Sequence, residues 1–137
     1  GTQPPIIETL SGRLSKKGPE LLADLEAMYT ERYGRAPEAV QPDSLSLAAS
    51  SKVPANPANL KEYFDNRGTV HASGSLHGLM RDEVYNFVDG ARSYYDIYRA
   101  VRAEQLAAGS WYYGTVTLKD VVTLLDAAVA AKALSVK

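Results

Sequence analysis

Apolar residues between Leu79 and Gly109 recur in alternating steps of four and three: Met80, Val84, Phe87, Ala91, Tyr94, Tyr98 and Val101. That spacing keeps one stripe of a helix turned toward a partner, and it predicts a single long helix over the segment. Ser75 is a candidate N-cap, and Gly109 ends the helix. Gly90 falls beside Phe87, Ile97 and Val101 on the helical wheel, where a close crossing or a kink would account for the missing side chain. Thr117 and Asp120 form a capping box for a last helix, Leu118 to about Ala133. Its apolar residues Leu118, Val121, Val122, Leu124, Leu125, Ala128 and Val129 cover most of the circumference. Only Lys119, Asp120, Thr123 and Asp126 form a polar strip, so this helix is central or turns one side to another subunit.

The N-terminal pattern is more broken. All seven prolines (4, 5, 19, 37, 42, 54 and 57) lie in the first 57 residues. Proline removes a backbone donor, so short pieces joined by turns are expected there. Pro19 to Tyr33 reads as a helix, with proline at its first position, Glu20 at the positive end and Gly34 as the stop. Its apolar face is Leu21, Leu22, Leu25, Met28, Tyr29 and Tyr33. Ile6 to Leu14 is a short helix or an extended arm. Arg35 to Ala55 reads as a long connection, with Leu45 and Leu47 tucked onto the core. Asn56 would cap a short helix over Pro57 to Asn66, with Gly68 as stop. Ser110 to Val116 has strand-like composition but no obvious strand partner, and reads as an aromatic connector.

These elements predict one all-α domain over residues 1–137: a compact bundle of four to five helices with a Pro-rich N-terminal segment wrapping its outside. Residues 1–57 would supply the Pro-rich part with one helix, and 58–137 the long-helix core. The heptad and final helices form the expected central pair, with the Pro19–Tyr33 helix across them.

Fifteen basic and sixteen acidic side chains balance along the chain, eight against nine through Gly68 and seven against seven beyond. No basic block is available to grip a polyanion. Nothing approaches the roughly 18–20 apolar residues of a membrane span. The cytoplasm is the default expectation for such a chain. The absence of cysteine excludes disulfides and thiolate chemistry.

Candidate chemistry is sparse. The run His71-Ala-Ser-Gly-Ser-Leu-His77-Gly78 precedes a helix N-terminus, where Ser73, Ser75 and His77, with Arg92 and Arg99, form a possible anion site. The plainer reading is a Gly/Ser loop that caps a helix. A serine beside a histidine also invites a nucleophile reading through His71, Ser75 and His77. Six residues do not place two imidazoles on one helical face, so no metal is expected, and no cofactor. Asp89, Arg92, Asp96 and Arg99 are spaced as an ion-pair ladder on the solvent face. Nine tyrosines are the remaining oddity. Tyr94, Tyr95, Tyr98, Trp111, Tyr112 and Tyr113 would form one half-wet aromatic patch at an interface, or the rim of a tyrosine-rich core.

The expected function is therefore a non-catalytic interaction or assembly module, within a larger structural complex, engaging a protein partner or a second copy. The alternative is a helical nucleic-acid-binding domain using Arg92, Arg99, Arg102 and the Ser73–Gly78 loop.

Overall fold

The computed structural model describes residues 5–72 and 74–137, with side chains described for 9–72, 74–109 and 111–137. Among these residues the chain is all-α, with seven helices and two strands of two residues each. In order, the elements are α1 (Pro5–Tyr33), α2 (Ser44–Ser50), β1 (Pro54–Ala55), α3 (Leu60–Arg67), α4 (Gly78–Asn86), α5 (Tyr94–Ala108), α6 (Ser110–Tyr113), α7 (Leu118–Ala130) and β2 (Ser135–Val136). The chain divides into two units, Gly1–Gln41 and Pro42–Lys137.

In the first unit, α1 begins well before Pro19 and carries that proline in its interior. The arm around Ile6 to Leu14 is therefore helix, and Pro19 is not the first helical position. An interior proline removes one backbone hydrogen bond and costs about 3 kcal/mol. Gly34, at φ +67°, ends the helix in the left-handed conformation that suits glycine, its N–H donating to the Thr30 carbonyl at 2.8 Å.

In the second unit α7 is central. Val121, Leu124, Leu125 and Ala128 are all but completely buried, as the near-continuous apolar circumference requires. Against it lie α5, through Tyr94, Ile97 and Val101, and α2, through Ala49. On α4, Met80, Val84 and Tyr85 complete the core. Thr117 caps α7, its hydroxyl accepting from the Asp120 N–H at 3.2 Å. After α7, Lys132 (φ +59°) turns the chain so that β2 pairs antiparallel with β1, Pro54 opposite Val136 and Ala55 opposite Ser135.

The single heptad helix does not form. Helix α4 stops at Asn86 and α5 starts at Tyr94. Between them the Asp89 carboxylate accepts from the Ala91 and Arg92 N–H groups at 2.9 and 2.8 Å, and Gly90 sits at φ +76°. Ser93 and Asp96 then form a complete capping box that starts a new helix. Hydrogen bonding from the Ser93 hydroxyl, then from its backbone, holds the Asp96 carboxyl below its ordinary range. Local side-chain-to-backbone bonds have displaced the helix over residues 87–93, while Met80, Val84, Tyr94 and Val101 still face the core.

Smaller corrections share that cause. The connection after Arg35 contains α2, capped by Asp43, whose carboxylate accepts from the Ser46 N–H at 2.7 Å. Ala49 is buried there, whereas Leu45 and Leu47 are exposed. Asn59, not Asn56, caps α3, and Asn56 instead donates to the Val88 carbonyl at 3.1 Å. His77, not Ser75, caps α4. The ladder reduces to the Asp89–Arg92 pair at 2.9 Å, because Asp96 is committed to its capping box.

Candidate interaction surfaces

Within its own unit, helix α1 carries a row of exposed apolar residues. Leu14, Leu21, Leu25 and Met28 are 73%, 60%, 61% and 64% exposed, and Gly18 continues the same line at helical spacing. A Cβ placed on Gly18 would meet nothing within 4 Å. Its lack of a side chain therefore answers no packing need of its own unit. Beside the row lies an open groove of about 370 Å³, between Leu22, Leu25 and Tyr29 on one side and Pro37–Ala39 on the other. Charge on α1 is sorted along its length. From Leu10 to Lys17 it carries Arg13, Lys16 and Lys17 and no acid. From Glu20 to Glu31 it carries Glu20, Asp24, Glu26 and Glu31 and no base.

The six aromatic residues expected as one patch have different surroundings. Tyr94 is fully buried, with the Lys52 ammonium 5.4 Å from its ring centroid. Burial, with the Asp126 carboxylate beside it, pushes its phenol well above the ordinary tyrosine range. Tyr95 and Tyr98 pair with each other half-buried, centroids 6.0 Å apart. Trp111, Tyr112 and Tyr113 form a separate corner on α6, where Tyr113 meets the His77 ring at 5.6 Å. Trp111 is 84% exposed there. No ring pair among the described residues joins the α5 group to the α6 group.

The candidate anion site is likewise dispersed. Ser73 lies outside the described residues. Ser75 bonds the Asp120 carboxylate through its N–H and hydroxyl, at 3.4 and 3.3 Å. An incoming anion would therefore meet a negative charge. Burial raises the Asp120 pKa, but hydrogen bonds from Thr117 and Ser75 outweigh that and hold it below its ordinary range. His77 caps α4, its Nδ1 accepting from the Leu79 N–H at 3.3 Å. Arg92 pairs with Asp89, and Arg102 donates to the Val116 carbonyl at 3.1 Å, tying α5 to the start of α7. Arg99 stands one turn from Asp96, and its charge helps hold that carboxylate ionised. No hydrogen bond or ion pair among the described residues joins any of these arginines to the loop before α4.

No helix among the described residues is long and apolar enough to cross a membrane. Comparison with known proteins finds no matching family model, no matching curated protein and no matching solved structure.

Proposed function

We propose that this chain is a non-catalytic assembly module that pairs with a second copy of itself through α1. The observation that supports this reading is the exposed row Leu14, Leu21, Leu25 and Met28. Helices in proteins draw most of their stability from packing an apolar face, and α1 also carries an interior proline. A contiguous exposed apolar face of this kind marks an interaction surface. The sorted charge favours a second copy as the occupant. Two α1 helices laid antiparallel about a two-fold axis near Pro19 and Glu20 place Arg13 of one against Glu26 of the other, twice. Gly18 falls near that axis, where its missing side chain lets the backbones approach.

The nucleic-acid alternative draws less support, because Arg92 and Arg102 are already committed to Asp89 and Val116.

Charge reversal tests the pairing. Arg13→Glu replaces two attractions by two repulsions and should weaken association about tenfold, since exposed pairs contribute about 0.2–1 kcal/mol each. Adding Glu26→Arg should restore it, as measured by sedimentation velocity across a dilution series. If the single reversal leaves association unchanged, or the double reversal fails to restore it, the antiparallel arrangement is wrong.

A further inference from the structure

Helix α1 runs unbroken through Pro19, although its sequence carries a stop signal there. Pro19 has no N–H to give the Ser15 carbonyl, and its ring crowds that carbonyl. The ring also pushes the residue before it, Gly18, away from the helical conformation. Glycine at that place adds backbone freedom that the helix must remove, and Gly12 does the same earlier in the segment. The Ser15 hydroxyl donates to the Ser11 carbonyl at 2.9 Å, a bond of the kind that weakens and bends helices.

Little within the single chain opposes these losses. From residue 9 to Tyr33 no described side chain of α1 is buried, and only Tyr29 is half-buried. An exposed ion pair, Lys17 to Glu20 at 2.9 Å, spans the proline. An interior proline lowers the helix equilibrium about a hundredfold and each glycine about fivefold. The ion pair returns about twofold. The losses win before Pro19. After it the balance differs, because proline suits a first helical position and Glu20 lies at the positive end of the helix that follows.

We propose that α1 forms in two stages: Pro19–Tyr33 is helix in the single chain, and the half before Pro19 becomes helix only as it lies along a second copy. Resting on self-pairing through α1, this step couples folding to assembly. Leu14 is 73% exposed in one chain and gains its cover from the partner, so the energy that carries the helix back through Gly18-Pro19 comes from the pair. The continuous α1 is then the conformation of the paired chain. Assembly carries an ordering cost that a preformed helix would not.

Gly12 and Pro19 decide the matter, because neither lies on the apolar row. They stand seven residues apart, each two positions from a row leucine (Leu14 and Leu21), and so on the side of the helix turned away from it. A Cβ on Gly12 would meet nothing within 4 Å. Every buried apolar residue among those described lies in the second unit, so neither substitution endangers the core.

The test is sedimentation velocity of the intact chain over a dilution series, with far-ultraviolet circular dichroism on the same samples. As the wild-type mass falls to one chain, helix content should fall with it by about a tenth of the chain, the share of residues 5–18. Gly12→Ala should tighten pairing about 25-fold, fivefold for each of two chains, and Pro19→Ala should tighten it further. If helix content stays constant while the mass halves, or Gly12→Ala pairs no more tightly than the wild type, α1 is helical before it pairs and the proposal is overturned with self-pairing intact. If the wild type, Gly12→Ala and Pro19→Ala all keep the mass of one chain at every concentration, self-pairing fails and the proposal falls with it.

Discussion

Leu125→Ala is expected to cost about 2–5 kcal/mol, while Leu25→Ala at monomeric dilution should change stability by no more than about 0.5 kcal/mol. Both leucines sit in strongly apolar helical patterns, and the sequence alone does not separate them. Burial does. Leu125 is 0% exposed on the central helix α7, packed among residues of the main core. Truncating it leaves a cavity that the close-packed neighbours refill only in part, so lost transfer energy and a cavity term add. Leu25 is 61% exposed, with little transfer energy to lose. Denaturant unfolding followed by far-ultraviolet circular dichroism suits the comparison, because it reads helix loss in both units, whereas the only tryptophan, Trp111, lies in the unit of Leu125 alone. A Leu125→Ala loss below about 1 kcal/mol would contradict α7 as the centre of the core.

Gly90→Ala is expected to destabilise the chain by about 1–2 kcal/mol, the cost of forcing a side chain into the left-handed region. Gly90 sits at φ +76° in the turn between α4 and α5. Sterics do not decide the matter, since an added Cβ would meet only the Ala55 Cβ at an ordinary 3.7 Å. The strain is in the backbone. A continuous helix through Gly90 predicts the opposite sign, a gain of about 1 kcal/mol from replacing glycine by the best helix former. Thermal or denaturant unfolding of this one variant separates the two architectures.

The heptad led to the wrong connectivity for a physical reason. Periodicity reports which side of the chain is buried, and Met80, Val84, Tyr94 and Val101 are buried as it requires. It does not report whether the backbone between them is continuous. The signals for the break were present in Asp89-Gly90 and in Ser93 followed three residues later by Asp96, a turn dipeptide and a capping box. Read together they outrank a heptad that one turn can interrupt without losing its face. Where chemistry and period agreed, at Thr117 and along α7, the helix start and its central place were legible. Helix α2 was hidden because only Ala49 of its seven residues is buried, too little to make a pattern. The β1–β2 pairing joins two-residue strands about 80 positions apart, and no local signal marks it.

The candidate sites were less legible than the fold. The α1 face reads as apolar in the sequence, but exposure is not readable from residue type. The sorting of charge on either side of Gly18 was readable, and it is what points to an antiparallel partner. The tyrosine patch failed as a unit because Tyr94 lies on the inner face of α5, while Tyr95 and Tyr98 lie at its edge.

Self-pairing through α1 is tested most directly by the mass of the intact chain in solution, by light scattering behind size exclusion across a tenfold concentration range. The account predicts a concentration-dependent approach to twice the 14.8 kDa of one chain. It also predicts that Leu25→Glu holds the mass at that of one chain, by placing two unpaired carboxylates in the apolar row. A wild-type mass of 14.8 kDa at every concentration would contradict it.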